Sequence, residues 1–181
     1  ARDKNSLEMV RGLCKNPKNV WIIPLDLEKH STFSEITQRA INVFGRIDIL
    51  VNNGGISQRS LATETQISVD KKIMEINYTG TVALTKTILP HFIDNQKGQI
   101  VVTTSIVGLI GSPLRSTYAA SKHALHGFFD SLRSEVYKDN IKVTLICPGF
   151  IKTNITASAF AVDEKDRGKK NNIANSISFY I

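Results

Sequence analysis

Short apolar runs and longer amphipathic stretches take turns along the chain. Residues 4–15 carry Leu7, Val10 and Leu13 at helical spacing, and the turn Asn16-Pro17-Lys18-Asn19 follows. Residues 20–25 (V-W-I-I-P-L) form a compact run rich in β-branched and aromatic side chains, which predicts a buried strand ending at Asp26-Leu27. Ser31 is placed to N-cap the next helix, whose apolar face is Phe33, Ile36, Ala40 and Phe44 and whose end is Gly45. A second strand is predicted at residues 47–51, leading into Asn52-Asn53-Gly54-Gly55. Residues 69–92 read as helix interrupted near 77–80, with Pro90 close to the end. A third strand centres on Ile100-Val101-Val102. The helix after Tyr118 sets Leu125, Phe128, Phe129, Leu132 and Val136 on one stripe. A fourth strand, residues 141–146, ends at Cys147-Pro148-Gly149.

Strand and helix alternate, and the strands are apolar with little polar interruption. That predicts an α/β fold with a parallel sheet covered on both faces. In such sheets the ligand crevice lies beyond the carboxyl ends of the strands. Asp26, Asn52, Ser105 and Thr153 all fall just past a predicted strand, so they point to one shared site. After Ala157 the pattern fades; residues 163–175 are polar and charged, and 176–181 are too short to place.

A chain of 181 residues and 20.1 kDa is one domain's worth, and 41% hydrophobic with 22% charged residues is ordinary for a globular protein. No apolar run reaches the roughly 18 residues of a membrane helix, and no secretory core is present. The opening Ala1-Arg2 ahead of a helical segment reads as an internal piece of a longer polypeptide, so the lack of a targeting or anchoring segment here says little about location. A net charge of +7 and pI near 9.5 suit either a phosphate-rich partner or a solvated surface. The scatter of Lys and Arg favours the surface, and nucleic acid is not expected as a partner. Cys14 and Cys147 have no C-x-x-C spacing, and His30, His91, His123 and His126 have no metal spacing, so no metal is expected. A Ser-His-Asp hydrolase lacks its G-x-S-x-G elbow.

The chemistry concentrates in residues 105–122. Tyr118 and Lys122 are four apart on a predicted helix and so share a face. A free phenol with a pKa of about 10 is a poor base at neutral pH, and a neighbouring ammonium favours the phenolate. Ser105 is a neutral donor suited to polarising a carbonyl oxygen. Alone, a Tyr and a Lys at helical spacing are usually surface neighbours. Asn-Gly at 53–54 is a common turn pair, Asp26 fits a helix cap as well as an adenine amino group, and Asn77 fits packing as well as function.

In combination, N-N-G-G after a strand, Ser105, Tyr118-x-x-x-Lys122 and Pro148-Gly149-x-x-x-Thr153 resemble the short-chain dehydrogenase/reductase family. Thirteen residues separate Ser105 from Tyr118, a spacing typical of that family. The segments G-R-I-D-I-L-V-N-N-G-G-I-S-Q-R-S-L, A-S-K-H-A-L-H-G-F-F and I-C-P-G are similar to its member 7 branch. The match covers residues 1–156, leaving 157–181 as a divergent, poorly ordered tail. The resemblance implies a Rossmann-like doubly wound parallel sheet, incomplete because the first strands with their glycine-rich loop and the C-terminal elements are not recognisable here.

By the same resemblance Tyr118 is the general acid/base, Lys122 lowers its pKa and binds the nicotinamide ribose, Ser105 orients the carbonyl, and Asn77 holds a water leading to Lys122. Asp26 and Leu27 would meet adenine, Asn52 and Gly54 would line the adenosine half, and Ile151 and Thr153 would meet the carboxamide. Arg2 falls where a basic residue favours the 2′-phosphate of NADP over NAD. The implied reaction interconverts a carbonyl and an alcohol on a small hydrophobic, steroid- or retinoid-like substrate. The alternative is an inactive piece or pseudoenzyme acting as a binding module. Homo-oligomers are implied by family analogy alone, and an endoplasmic reticulum membrane location by the branch, through a segment outside this chain.

Overall fold

The computed structural model of the protein describes residues 1–149, 151 and 159–162. Three parallel strands, β1 (Ile49–Asn52), β2 (Gly98–Thr103) and β3 (Ile141–Ile146), lie side by side in chain order. Ile49 pairs with Gln99, and Gly98 pairs with Ile141. Parallel neighbours need long crossovers. The first is a loop over residues 53–66 followed by α3 (Ile67–Met74), a π turn at Glu75–Thr79, and α4 (Gly80–Asp94). The second carries α5 (Ser116–Glu135). Ahead of the sheet are α1 (Lys4–Leu13), whose N-terminus is capped by the Asp3 carboxylate at Asn5 N (3.0 Å), and α2 (Phe33–Phe44), closed by Gly45.

Residues one apart in the pleat divide cleanly. Leu50, Ile100 and Val143 face Ile88 and Phe92 of α4 and Leu125, Phe129 and Leu132 of α5 in a single cluster. Burying these side chains stabilises the sheet–helix interface by roughly 1.5–3 kcal/mol each. The opposite face carries Ile49, Val51 and Ile146, which are 54%, 60% and 46% exposed. Among the described residues the helices pack on one face only. This differs from the two covered faces expected, while the fold remains an incomplete Rossmann-like parallel sheet.

Three local expectations change. Residues 20–25 are not a strand: Leu25 N donates to Ala1 O at 2.8 Å, but no ladder runs beside them among the described residues, and apolar content alone does not make a strand. Ser31 caps nothing, because the chain enters α2 through a 3-10 turn at His30–Thr32 in which the Phe33 N–H already bonds His30 O. Residues 159–162 belong to the segment expected as a poorly ordered tail, yet Phe160 is buried against Val69 and Ile73 and bridges Gln58. For these four residues a packed, strand-like segment replaces the tail. Among the described residues no helix is long and apolar enough to cross a membrane.

Candidate active site

The site begins where β2 ends. Ser105 opens a short turn at Ile106–Gly108, with its Oγ accepting from Val107 N at 3.4 Å. That turn lies directly on α5: a Cβ on Gly108 would stand 3.0 Å from Lys122 Cβ and 3.2 Å from its backbone, so the helix would have to give by a few tenths of an ångström. Glycine at 108 thus lets the chain past β2 lie against the helix without displacing Lys122. From α5, Lys122 extends back so that its Nζ donates to Thr103 O at 2.9 Å and sits 5.8 Å from the Tyr118 ring centre. Tyr118 and Lys122 are both buried.

Burial sets the protonation of both. The Lys122 ammonium is depressed from 10.5 to about 8, because desolvation penalises its charged form. The Tyr118 phenol is raised, with desolvation the largest cause; the Ser105 hydroxyl and then the Arg115 charge oppose it. The lowering expected from Lys122 does not dominate in this geometry; burial does. Tyr118 is thus a neutral phenol at neutral pH, a proton donor before it is a base.

Asn77 lies in the π turn, a distortion often found at functional positions. It accepts from Ile56 N at 2.8 Å and donates to Ile56 O at 2.9 Å and Ser121 Oγ at 3.0 Å. Both amide protons are engaged by protein. The side chain therefore ties the loop after β1 to α5, and a water-holding role would fall to other atoms. Gly55 lies in the same corner: a Cβ there would meet Asn77 Oδ1 at 3.2 Å and Lys122 Nζ at 3.7 Å. Loop, π turn and Lys122 thus close on one another.

The other expected residues divide. Leu27, next to Asp26, lies beside Gly54 and Gly80; a Cβ on Gly54 would touch Leu27 Cδ1 at 2.8 Å. Arg2 joins them, its Nη1 3.6 Å from Asp26 Oδ2 and 3.8 Å from Glu28 Oε2. Asn52 is buried and donates to Thr85 Oγ1 at 3.0 Å, so its side chain fastens β1 to α4. Ile151 is exposed. Thr153 lies outside the described residues.

Sequence reasoning missed the loop that holds the start of α5. Arg115 is the N-cap residue and its side chain caps nothing. The cap comes from Gln58 instead, whose Oε1 accepts from Thr117 N at 3.1 Å while its Nε2 donates to Thr65 Oγ1 at 2.8 Å. Arg115 Nη1 donates to Ser57 Oγ at 2.7 Å, and its guanidinium lies 5.6 Å from the Tyr118 ring centre. A helix opening on Leu-Arg without a Ser, Thr, Asp or Asn at its cap was the available signal.

A parallel sheet with a buried Tyr and Lys one helical turn apart, a serine at the neighbouring strand end, and a glycine-lined corner defines a class. The chain belongs to the short chain dehydrogenase family, whose model matches residues 1–164. It is 46% identical over 167 residues to human dehydrogenase/reductase SDR family member 7, covering 89% of this chain and 49% of that protein. It is 49% identical over 175 residues to dehydrogenase/reductase SDR family protein 7-like of Anopheles gambiae, covering 93% and 55%. The chain thus spans about half the length of the curated relatives it matches. Among solved structures it resembles a short-chain dehydrogenase from Streptomyces avermitilis (TM-score 0.81, 28% identity, 89% of this chain and 59% of that one). It also resembles a variant of ElxO with NADPH bound (TM-score 0.80, 32% identity, 84% and 62%).

Proposed function

We propose that the protein is an NADP-dependent oxidoreductase interconverting a carbonyl and an alcohol on a small hydrophobic, steroid- or retinoid-like substrate. The observation that carries this is the convergence of Ser105, Tyr118 and Lys122 where β2 ends against α5. The donor set fits a nicotinamide nucleotide: the Lys122 ammonium suits ribose hydroxyls, and the Ser105 and Tyr118 hydroxyls suit the reacting oxygen, gathered where β2 meets α5. When bound, that cofactor supplies or takes the hydride. Lys122 would hold its ribose hydroxyls, Asp26 and Leu27 its adenine, the Gly54 backbone its adenosine half, and Ile151 with Thr153 its carboxamide.

This chain's own part is proton transfer and orientation. Ser105 donates to the substrate oxygen, and the Tyr118 hydroxyl delivers a proton to that same oxygen in reduction or receives it in oxidation. The raised Tyr118 pKa favours the donor role near neutral pH. Preference for NADP over NAD depends on Arg2, which this structure shows shared between Asp26 and Glu28 and so only partly free for a 2′-phosphate.

Fluorescence titration with NADPH and NADH, followed by NADPH oxidation against a panel of hydrophobic ketones and aldehydes, tests the reading. Tighter NADPH binding with turnover on at least one carbonyl is expected. Tight NADPH binding would contradict the alternative, an inactive piece or pseudoenzyme acting as a binding module, whereas absence of both binding and turnover would sink the oxidoreductase reading.

A further inference from the structure

We propose that Arg115 is a positioning residue for Tyr118: anchored by Ser57, its guanidinium is the cation that tunes the acidity of the phenol. This deepens the proton-transfer reading of Tyr118 and rests on it. The geometry comes first. Arg115 precedes Tyr118 by three residues, so the two meet across the first turn of α5, with the guanidinium 5.6 Å from the ring centre. Its direction is fixed by a 2.7 Å bond from Nη1 to Ser57 Oγ, and Ser57 is itself buried in the loop that caps the helix. Among the described residues no carboxylate lies within 4.0 Å of Arg115, so its charge is not cancelled by an ion pair.

The charges that face Tyr118 from other elements do not replace it. Lys122, on the same helix, bonds Thr103 O and is depressed to about 8. Arg59, on the Ser57 loop, disfavours the charge of Arg115. Asp70 of α3 receives the Thr117 hydroxyl. On the β3 side, Cys147 and His126 close on Thr104 at 3.2 and 3.1 Å. Of the cations here, Arg115 is the one whose charge opposes the burial-driven rise of the phenol, and Tyr118 in turn favours charge on Arg115. An opposite charge within about 4–6 Å shifts a pKa by 1–3 units.

The test reads Tyr118 itself, without turnover. The chain has four tyrosines, so tyrosine ring-carbon NMR is followed against pH with Tyr118→Phe assigning the resonance. Arg115→Met is expected to raise the Tyr118 pKa by about one unit, Arg115→Lys to leave it within a few tenths, and Ser57→Ala to raise it by an intermediate amount. An unchanged Tyr118 titration in Arg115→Met overturns the proposal, as does an Arg115→Lys shift equal to that of Met. Should Arg115→Met lose its fold, Ser57→Ala decides: an unmoved titration there overturns it. Because no cofactor enters the measurement, the expected shifts in a chain that fails to oxidise NADPH would sink the functional reading and leave this one standing.

Discussion

Lys122 carries a cost that pH can reveal. Its Nζ is buried on the Thr103 carbonyl with a pKa of about 8, while the unfolded chain keeps the ordinary value of 10.5. Below pH 8 both states are charged and the folded state bears the full desolvation penalty. Between about 8 and 10.5 the folded protein has shed a proton that the unfolded chain still holds, so stability rises with pH. The advantage of Lys122→Met over the parent in urea unfolding is therefore expected to shrink by about 3 kcal/mol between pH 7 and 10.5. A constant difference would mean that the ammonium is solvated. At this scale the sequence was legible where chemistry follows spacing: Tyr118 and Lys122 share a helix face because they are four apart. The partners that bend their behaviour were not legible. Ser57 and Gln58 lie 58 and 59 residues from Arg115 and Thr117, and no local pattern pairs them.

At the scale of elements, the Ile106–Gly108 turn sets how closely the chain past Ser105 lies on Lys122. Gly108→Ala puts a methyl 3.0–3.2 Å from Lys122 Cβ and backbone, atoms that cannot swing aside. The expected result is a loss of about 1–3 kcal/mol by denaturant unfolding, with NADPH affinity falling alongside. Wild-type stability in that variant would show that the turn is free to retreat from α5. The helices read well from their apolar stripes, including the break that the structure shows as the Glu75–Thr79 π turn around Asn77. Residues 20–25 did not read correctly, for a physical reason: their side chains are those of a strand, but a strand exists through its neighbours. Residues 159–162 erred in the other direction, since Phe160 is fixed by Ser57 and Arg59, a partner segment about a hundred residues away.

At the scale of the molecule, among the described residues, the helices leave one face of the sheet bare, with Ile49, Val51 and Ile146 exposed, and β1 stands at an edge of the three-stranded sheet. Apolar faces and open edges of this kind drive association between chains. Ile49→Lys with Val51→Lys is expected to reduce self-association of the chain at micromolar concentration, read by light scattering, without disturbing the Leu50–Ile100–Val143 side of the core. Unchanged scattering would mean that this face is not where copies meet.

The central claim is that Tyr118 moves the proton in a nicotinamide-linked reaction. It is tested most directly by comparing NADPH affinity and carbonyl-dependent NADPH oxidation in the parent and in Tyr118→Phe. The account predicts affinity within about twofold and turnover lower by about 10²–10⁴-fold, the range a general acid contributes. Near-parental turnover in Tyr118→Phe would contradict it.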